Sequence, residues 1–231
     1  MVIKLMHYLD IIVKVLSSKI LTVFILLAWI ITIIFSWWFI PPKIDDAIYL
    51  VPAISVFNNY FPGVFIANSI EPIFFIFPTQ PFVHGLFLKF LNFFSISVDI
   101  YSYRVFNYSL VVLLFYSVYK LFSTLYPEGV YRILSTNVFL STLGLSQFSY
   151  HFYLNRPEVL GLLFFVIGFT YSIKFITNTK DRMYFLALAF LFFGLSTTLH
   201  PFFFILLSTS IIYLLYVSIR LYKARYLYCL I

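Results

Sequence analysis

Ile20 to Ile40 form an unbroken run of twenty-one uncharged, mostly apolar residues. A helix needs about twenty such residues to cross about 30 Å of hydrocarbon at 1.5 Å per residue. Further charge-free stretches occupy 105–119, 133–155, 159–173 and 183–219. At 63% hydrophobic and 10% charged, with mean hydropathy +1.01, a chain of 231 residues cannot hide this surface inside one globule. Its solvent is therefore lipid.

The last stretch, at 37 residues, would extend about 55 Å as one helix, so it must turn. His200-Pro201 sits near its middle, and proline is best tolerated in the first turn of a helix, which places the turn there. Six spans follow, near 20–40, 105–125, 133–153, 157–175, 183–199 and 202–220. The expected fold class is all-α, a polytopic transmembrane helical bundle read as one domain. Upstream, Val2, Leu5, Met6, Leu9, Ile12, Val13 and Leu16 recur at helical spacing among Lys4, Lys14 and Lys19, the pattern of an amphipathic helix over 1–19 lying on the cytoplasmic surface. The apolar core that follows is too long for a cleaved signal peptide and reads as a retained span.

Basic residues orient the bundle. With a cytoplasmic N-terminus, eleven of the fifteen Lys and Arg fall on the inner side, and only Lys43, Lys89, Arg104 and Arg156 fall outside. The net charge of +7 is thus explained by membrane sidedness, and no basic stripe interleaved with stacking aromatics points to nucleic acid. Cys229 stands alone, which excludes an intramolecular disulfide and any multi-cysteine metal site.

Segment 41–103 carries a charge-free run at 47–70, but Pro52, Asn58-Asn59, Pro62-Gly63 and Asn68 interrupt it, and Pro72, Pro78 and Pro81 follow. One extra span here would reverse every later loop and destroy the charge bias, whereas zero or two extra spans keep it and leave Asp45 and Asp46 outside. We read the segment as an outer loop with helices near 44–58 and 80–95 lying along the membrane surface. Asp45-Asp46, Lys89 to Arg104, His151 to Glu158 and His200-Pro201 then share the outer side.

This set of side chains supports group transfer. Desolvation and a neighbouring carboxylate favour the protonated form of an acid, which suits a general base acting on a hydroxyl. Guanidinium and ammonium groups at the same level suit a phosphate, and the arginine fork meets two oxygens at once.

The order of these motifs resembles a known family. A first span is followed by Asp45, Asp46, Ala47 and Tyr49, then a proline-led surface helix, then Arg104-Val-Phe-Asn107 opening the second span. Arg156-Pro-Glu158 through Leu163 and an apolar helix ending in His200-Pro201 complete it. This arrangement looks like the N-terminal part of the membrane-embedded GT-C glycosyltransferases, which include protein mannosyltransferases and aminoarabinose transferase-like proteins. The resemblance implies a polyprenyl-phosphate sugar donor, a glycan, lipid or protein acceptor, and a cell-membrane setting. Asp45 would be the catalytic base with Asp46 beside it. Arg156, Arg104 and Lys89 would hold the donor phosphate, with Glu158 and His200 at the donor or acceptor. No metal is required. A divalent ion would have to be held by a set such as His84, His151 and Asp45, and no two of these have helical ligand spacing.

Each residue also has a plainer reading. Asp45 and Asp46 fit the cap and first turn of a helix; Arg156, Arg104 and Lys89 fit interface anchors. Asn155 with Glu158 fits a capping box around Pro157, and His200 fits a turn. Trp37-Trp38 fits an outer aromatic belt, and the sequon Asn107-Tyr-Ser109 lies inside a span. A transporter or flippase fragment would instead need ionisable groups inside its spans, whereas the interior offers only Asn137, Gln147 and small hydroxyls. A non-catalytic membrane subunit would leave the acidic pair free to vary. The chain stops soon after a basic cluster, as a truncated N-terminal module would.

Overall fold

The computed structural model describes residues 2–39, 44–60, 63–66, 69–72, 79–98, 102–127, 129–145, 157–178, 180–199 and 202–222. Nine helices and one two-stranded hairpin lie among them: α1 (Val2–Leu16), α2 (Lys19–Phe39), α3 (Ile44–Phe57), β1 (Gly63–Ile66), β2 (Ser69–Pro72), α4 (Thr79–Phe93), α5 (Ser102–Leu125), α6 (Gly129–Leu145), α7 (Pro157–Thr177), α8 (Arg182–Thr197) and α9 (Phe202–Tyr222). Three helices are long and apolar enough to cross a membrane, at Lys19–Ser36, Arg104–Leu125 and Pro157–Thr177. Helices α8 and α9 are apolar over shorter lengths. Helix α6 ends at Leu145, and residues 146–156 of the stretch read as 133–153 and its outer loop lie outside the described residues.

Helix α7 is the centre of the bundle and packs on α5, α8 and α9. Its sequence favours this: Pro157 opens the first turn, Glu158 stands at the positive end of the helix dipole, and Lys174 stands at the negative end. Small residues let its neighbours approach. A Cβ on Gly161 would overlap the ring of Phe203 from α9, and one on Gly168 would come within 2.8 Å of Phe193 from α8. Two apolar clusters meet along this helix. One joins it to α5 and α2 through Leu160, Leu163, Leu114, Val111 and Trp29; the other joins it to α8 and α9 through Phe175, Phe193 and Leu214.

Helix α2 is peripheral. Ile20, Phe24 and Phe35 remain more than half exposed, the expected surface of a helix facing acyl chains. Tyr108 and Phe115 of α5 meet Ser36 and Trp29 of α2 respectively, so the two helices run antiparallel.

The join between α1 and α2 rests on one amide. Asn137, fully buried in α6, accepts a hydrogen bond from the Thr22 hydroxyl at 2.8 Å. Its Nδ2 donates to the Leu16 carbonyl at 2.8 Å and the Ser18 carbonyl at 3.3 Å. The Leu16 carbonyl is one of the orphans that end every helix, so Asn137 caps α1 from another element.

Helices α3 and α4 pack together, with Gly85 so close to α3 that an added Cβ would lie 2.7 Å from the Ala53 carbonyl oxygen. Both end in the same way. The residues Asn59 (φ 68°) and Ser95 (φ 59°) take the left-handed conformation, and the next amide in each case bonds back five residues, Tyr60 to Ser55 and Ile96 to Leu91. Between them the proline-broken stretch read as loop contains the antiparallel pair, with Gly63 opposite Pro72 and Ile66 opposite Ser69. The β-branched and aromatic run Val64-Phe65-Ile66 suits a strand, and Pro62 and Pro72 bound it.

Replacing Asn137 by Leu should lower the unfolding free energy in micelles by about 1–3 kcal/mol, because it removes the side-chain donor to the Leu16 carbonyl, whereas the Ser18 carbonyl keeps the Thr22 amide. Thr142→Val, which removes only a hydroxyl bonded to its own helix at Val138, should change it by no more than about 0.5 kcal/mol. Equal effects in denaturant titrations would contradict the cap.

Candidate functional site

The described helix ends that flank the segments read as functional converge on one end of the bundle. The last turn of α2, the first turns of α5 and α7, the end of α8 and the start of α4 all lie there. Contacts fix this arrangement: the Thr79 hydroxyl of α4 donates to Thr198 of α8 at 2.9 Å, and Arg104 of α5 reaches the Ser36 carbonyl of α2. At most about 17 Å of extended chain separates Phe39 from Ile44, so the start of α3 with Asp45 and Asp46 is confined to the same end. The side chains of Asp45 and Asp46 lie outside what the structure describes, as do Arg156, His151 and His200. Their flanks are described: Pro157 is buried immediately after Arg156, and Leu199 is fully buried immediately before His200.

Arg104 is 3% exposed. Its Nη1 donates to the Ser36 carbonyl at 3.1 Å, and the Ser36 hydroxyl pairs with the Tyr108 hydroxyl at 2.7 Å. A cation here meets the orphan carbonyls at the negative end of α2. The sequence suggested an arginine presented to a phosphate; the structure shows one buried against the helix end that leads to Asp45. Lys89 is also engaged elsewhere. Its ammonium donates to the Asn59 side-chain oxygen at 2.7 Å, tying the middle of α4 to the left-handed residue that ends α3.

Glu158 is 7% exposed in the first turn of α7. Helices α5 and α7 run in the same direction: Phe106 near the start of α5 stacks on His84 of α4, whose Thr79 bonds to Thr198 just after α8, and α8 runs antiparallel to α7, with Phe193 at Gly168 and Phe185 at Tyr171. Glu158, in the first turn of α7, therefore lies at the same end of the bundle as Arg104 and Asn107 in the first two turns of α5.

Several polar side chains at this end are nearly inaccessible: Gln80, Ser36 and Ser102, which carried no functional reading in the sequence, and His84 and Asn107, read there in a candidate metal set and in the family motif and sequon. Two spacings hinted at them. Gln80 and His84 lie four apart on one helix face, and Arg104 and Asn107 lie three apart on another. The buried Asn107 is no surface acceptor for a glycan, in keeping with its place inside a span.

His84 is fully buried and stacks on Phe106 with centroids 4.5 Å apart and planes 6° from parallel. Burial alone lowers its pKa from 6.5 to about 3, so the ring is neutral at ordinary pH. It packs α4 on α5 and is poorly suited to proton transfer. No group of three or more His, Cys, Asp or Glu able to hold a metal occurs among the described residues, and the set of His84, His151 and Asp45 reaches beyond them.

The cavities found among the described residues lie elsewhere. One of 320 Å³ runs between α2 and α6 beside Trp29 and Gly144, and one of 390 Å³ lies between α5, α7 and α8 near Lys120 and Lys174. Comparison with models of known families, with curated proteins and with solved structures finds no match.

The buried histidine has a pH signature. Unfolded, it takes up a proton near 6.5; folded, only near 3. Its contribution to stability is therefore constant above about 6.5, declines as pH falls below that, and levels off below about 3. Substituting His84 by Phe should flatten this part of the profile of melting temperature against pH between 6.5 and 4. An unaltered slope would contradict the buried neutral ring.

Proposed function

We propose that this chain is a membrane glycosyltransferase of the GT-C type. It transfers a sugar from a polyprenyl-phosphate donor to an acceptor at the bundle end that carries α3 and α4. What supports the reading is that the described helix ends that carry or flank Asp45-Asp46, Arg104, Glu158 and His200 lie at one end of the bundle. Separate helices from across the chain contribute to it, in agreement with the sidedness that the basic residues imply.

The chemistry follows from the residue types. The Asp45 carboxylate takes the proton from an acceptor hydroxyl or amine as that atom attacks the anomeric carbon. The bond from this carbon to the phosphate oxygen breaks with inversion, and polyprenyl phosphate leaves with the bonding electrons. A phosphate leaves without protonation, so no acid partner is required. Arg156 supplies the charge that stabilises it. Arg104 is a positioning residue in this scheme, because its guanidinium is already engaged with the end of α2. Lys89, bonded to Asn59, likewise acts through the α3–α4 pair.

A transporter reading would need polar groups aligned along a pathway inside the spans. Thr32, Thr142, Thr170 and Ser172 instead bond to the carbonyl four residues earlier in their own helices. Asn137 caps α1. These are the bonds of residues that satisfy themselves in lipid.

In membranes supplied with radiolabelled polyprenyl-phosphate sugars, Asp45→Asn should reduce transfer about 10²–10⁴-fold, the usual size of a general-base contribution. The melting temperature should stay close to that of the parent. Unchanged transfer would contradict the assignment, and a deeper loss from Asp46→Asn would move the base one residue along.

A further inference from the structure

The opposite end of the bundle carries a second feature, independent of the transferase reading. Lys120, just over one turn from the end of α5, and Lys174, in the last turn of α7, face one groove of 390 Å³ that Phe192 of α8 closes on the third side. The Lys174 ammonium lies 5.1 Å from the Tyr171 ring centroid and 5.8 Å from that of Phe185. The Lys120 ammonium lies 5.4 Å from the centroid of Tyr116. Aromatic faces hold the two cations without neutralising them. Among the described residues, no acidic side chain lines the groove.

Anchoring at a helix end accounts for one lysine at a time. It does not account for two lysines from different helices converging on a concave surface whose remaining lining is largely apolar. Of its hydroxyls, Thr124 donates to the Lys120 carbonyl and Thr170 to the Val166 carbonyl, which leaves the two ammonium groups as the cationic donors of the groove. Beneath the cations, Ile167 lies seven residues from Lys174, about 10 Å along the axis, a length suited to the upper part of an acyl chain. The same end carries Arg132 over the ring of Tyr119, and also Lys180 and Arg182, so its surroundings attract anions as well.

We propose that this groove binds an anionic phospholipid, with its phosphate between Lys120 and Lys174 and one acyl chain against Ile167 and Phe192. The site is one of tight lipid association and involves no covalent chemistry.

The test uses the full chain in neutral detergent, titrated with phosphatidylglycerol or phosphatidylcholine and followed by native mass spectrometry. The unsubstituted protein should retain phosphatidylglycerol about 30-fold more strongly, about fivefold for each basic residue near the anionic headgroup. The double substitution Lys120→Gln, Lys174→Gln should bring the ratio near one. Should that double variant fail to fold, each single substitution should still reduce the ratio about fivefold. Ile167→Trp, which fills the apolar floor and keeps both lysines, should weaken phosphatidylglycerol retention, and inorganic phosphate at the same concentration should not displace the lipid. Equal retention of the two lipids overturns the proposal, as does a preference that survives loss of both lysines. Retention unaffected by Ile167→Trp, or abolished by inorganic phosphate, overturns it too, because the site would then recognise an anion and not a lipid.

Discussion

A polar group placed in hydrocarbon has no water to turn to, and the arrangement of this chain follows from that constraint. Backbone groups are paired inside helices. Serine and threonine hydroxyls along the apolar helices bond back to their own carbonyls, as at Thr32, Thr170 and Ser172. Where a helix ends near the bundle, a side chain from elsewhere meets its last carbonyls: Asn137 at Leu16 and Arg104 at Ser36. These two residues do at opposite ends of α2 what water does for a soluble protein. Both are buried, and both fix where a chain segment leaves the bundle.

Packing supplies the rest. Helix α7 is covered on most sides, and its glycines set how closely α8 and α9 approach. Because α5 and α7 run in parallel, their N-terminal turns come to one end and their lysines to the other. The transferase reading draws on the first end and the lipid groove on the second.

Helix positions were legible in the sequence for a physical reason. Ionic side chains are expelled from spans, so the charges at Arg104, Lys174 and Arg182 mark helix ends directly. Helices α3 and α4 were legible because Asn58-Asn59 and Pro81 punctuate that stretch. Partners far apart in the chain were not. Ser36 is 68 residues from Arg104, and Leu16 is 121 from Asn137, and no local pattern announces either contact. This is why the bond of Arg104 to the end of α2 could not be read beside its reading as a ligand for phosphate. The hairpin at 63–72 was hidden for a different reason. Prolines dominate that stretch and read as breaks, yet here they bracket strands, leaving Val64-Phe65-Ile66 free to pair. Burial of His84 could not be read either, since a histidine on a surface helix looks the same whether it faces water or Phe106.

Everything functional depends on the two ends of the bundle lying on opposite faces of the membrane, with the α3–α4 pair outside. Single cysteines placed at Tyr60 and at Tyr126, both exposed, report on these ends once Cys229 is replaced by Ser. In intact cells, a membrane-impermeant maleimide should label Tyr60→Cys at once and Tyr126→Cys only after permeabilisation. Labelling of both before permeabilisation, or of Tyr126→Cys alone, would contradict the account.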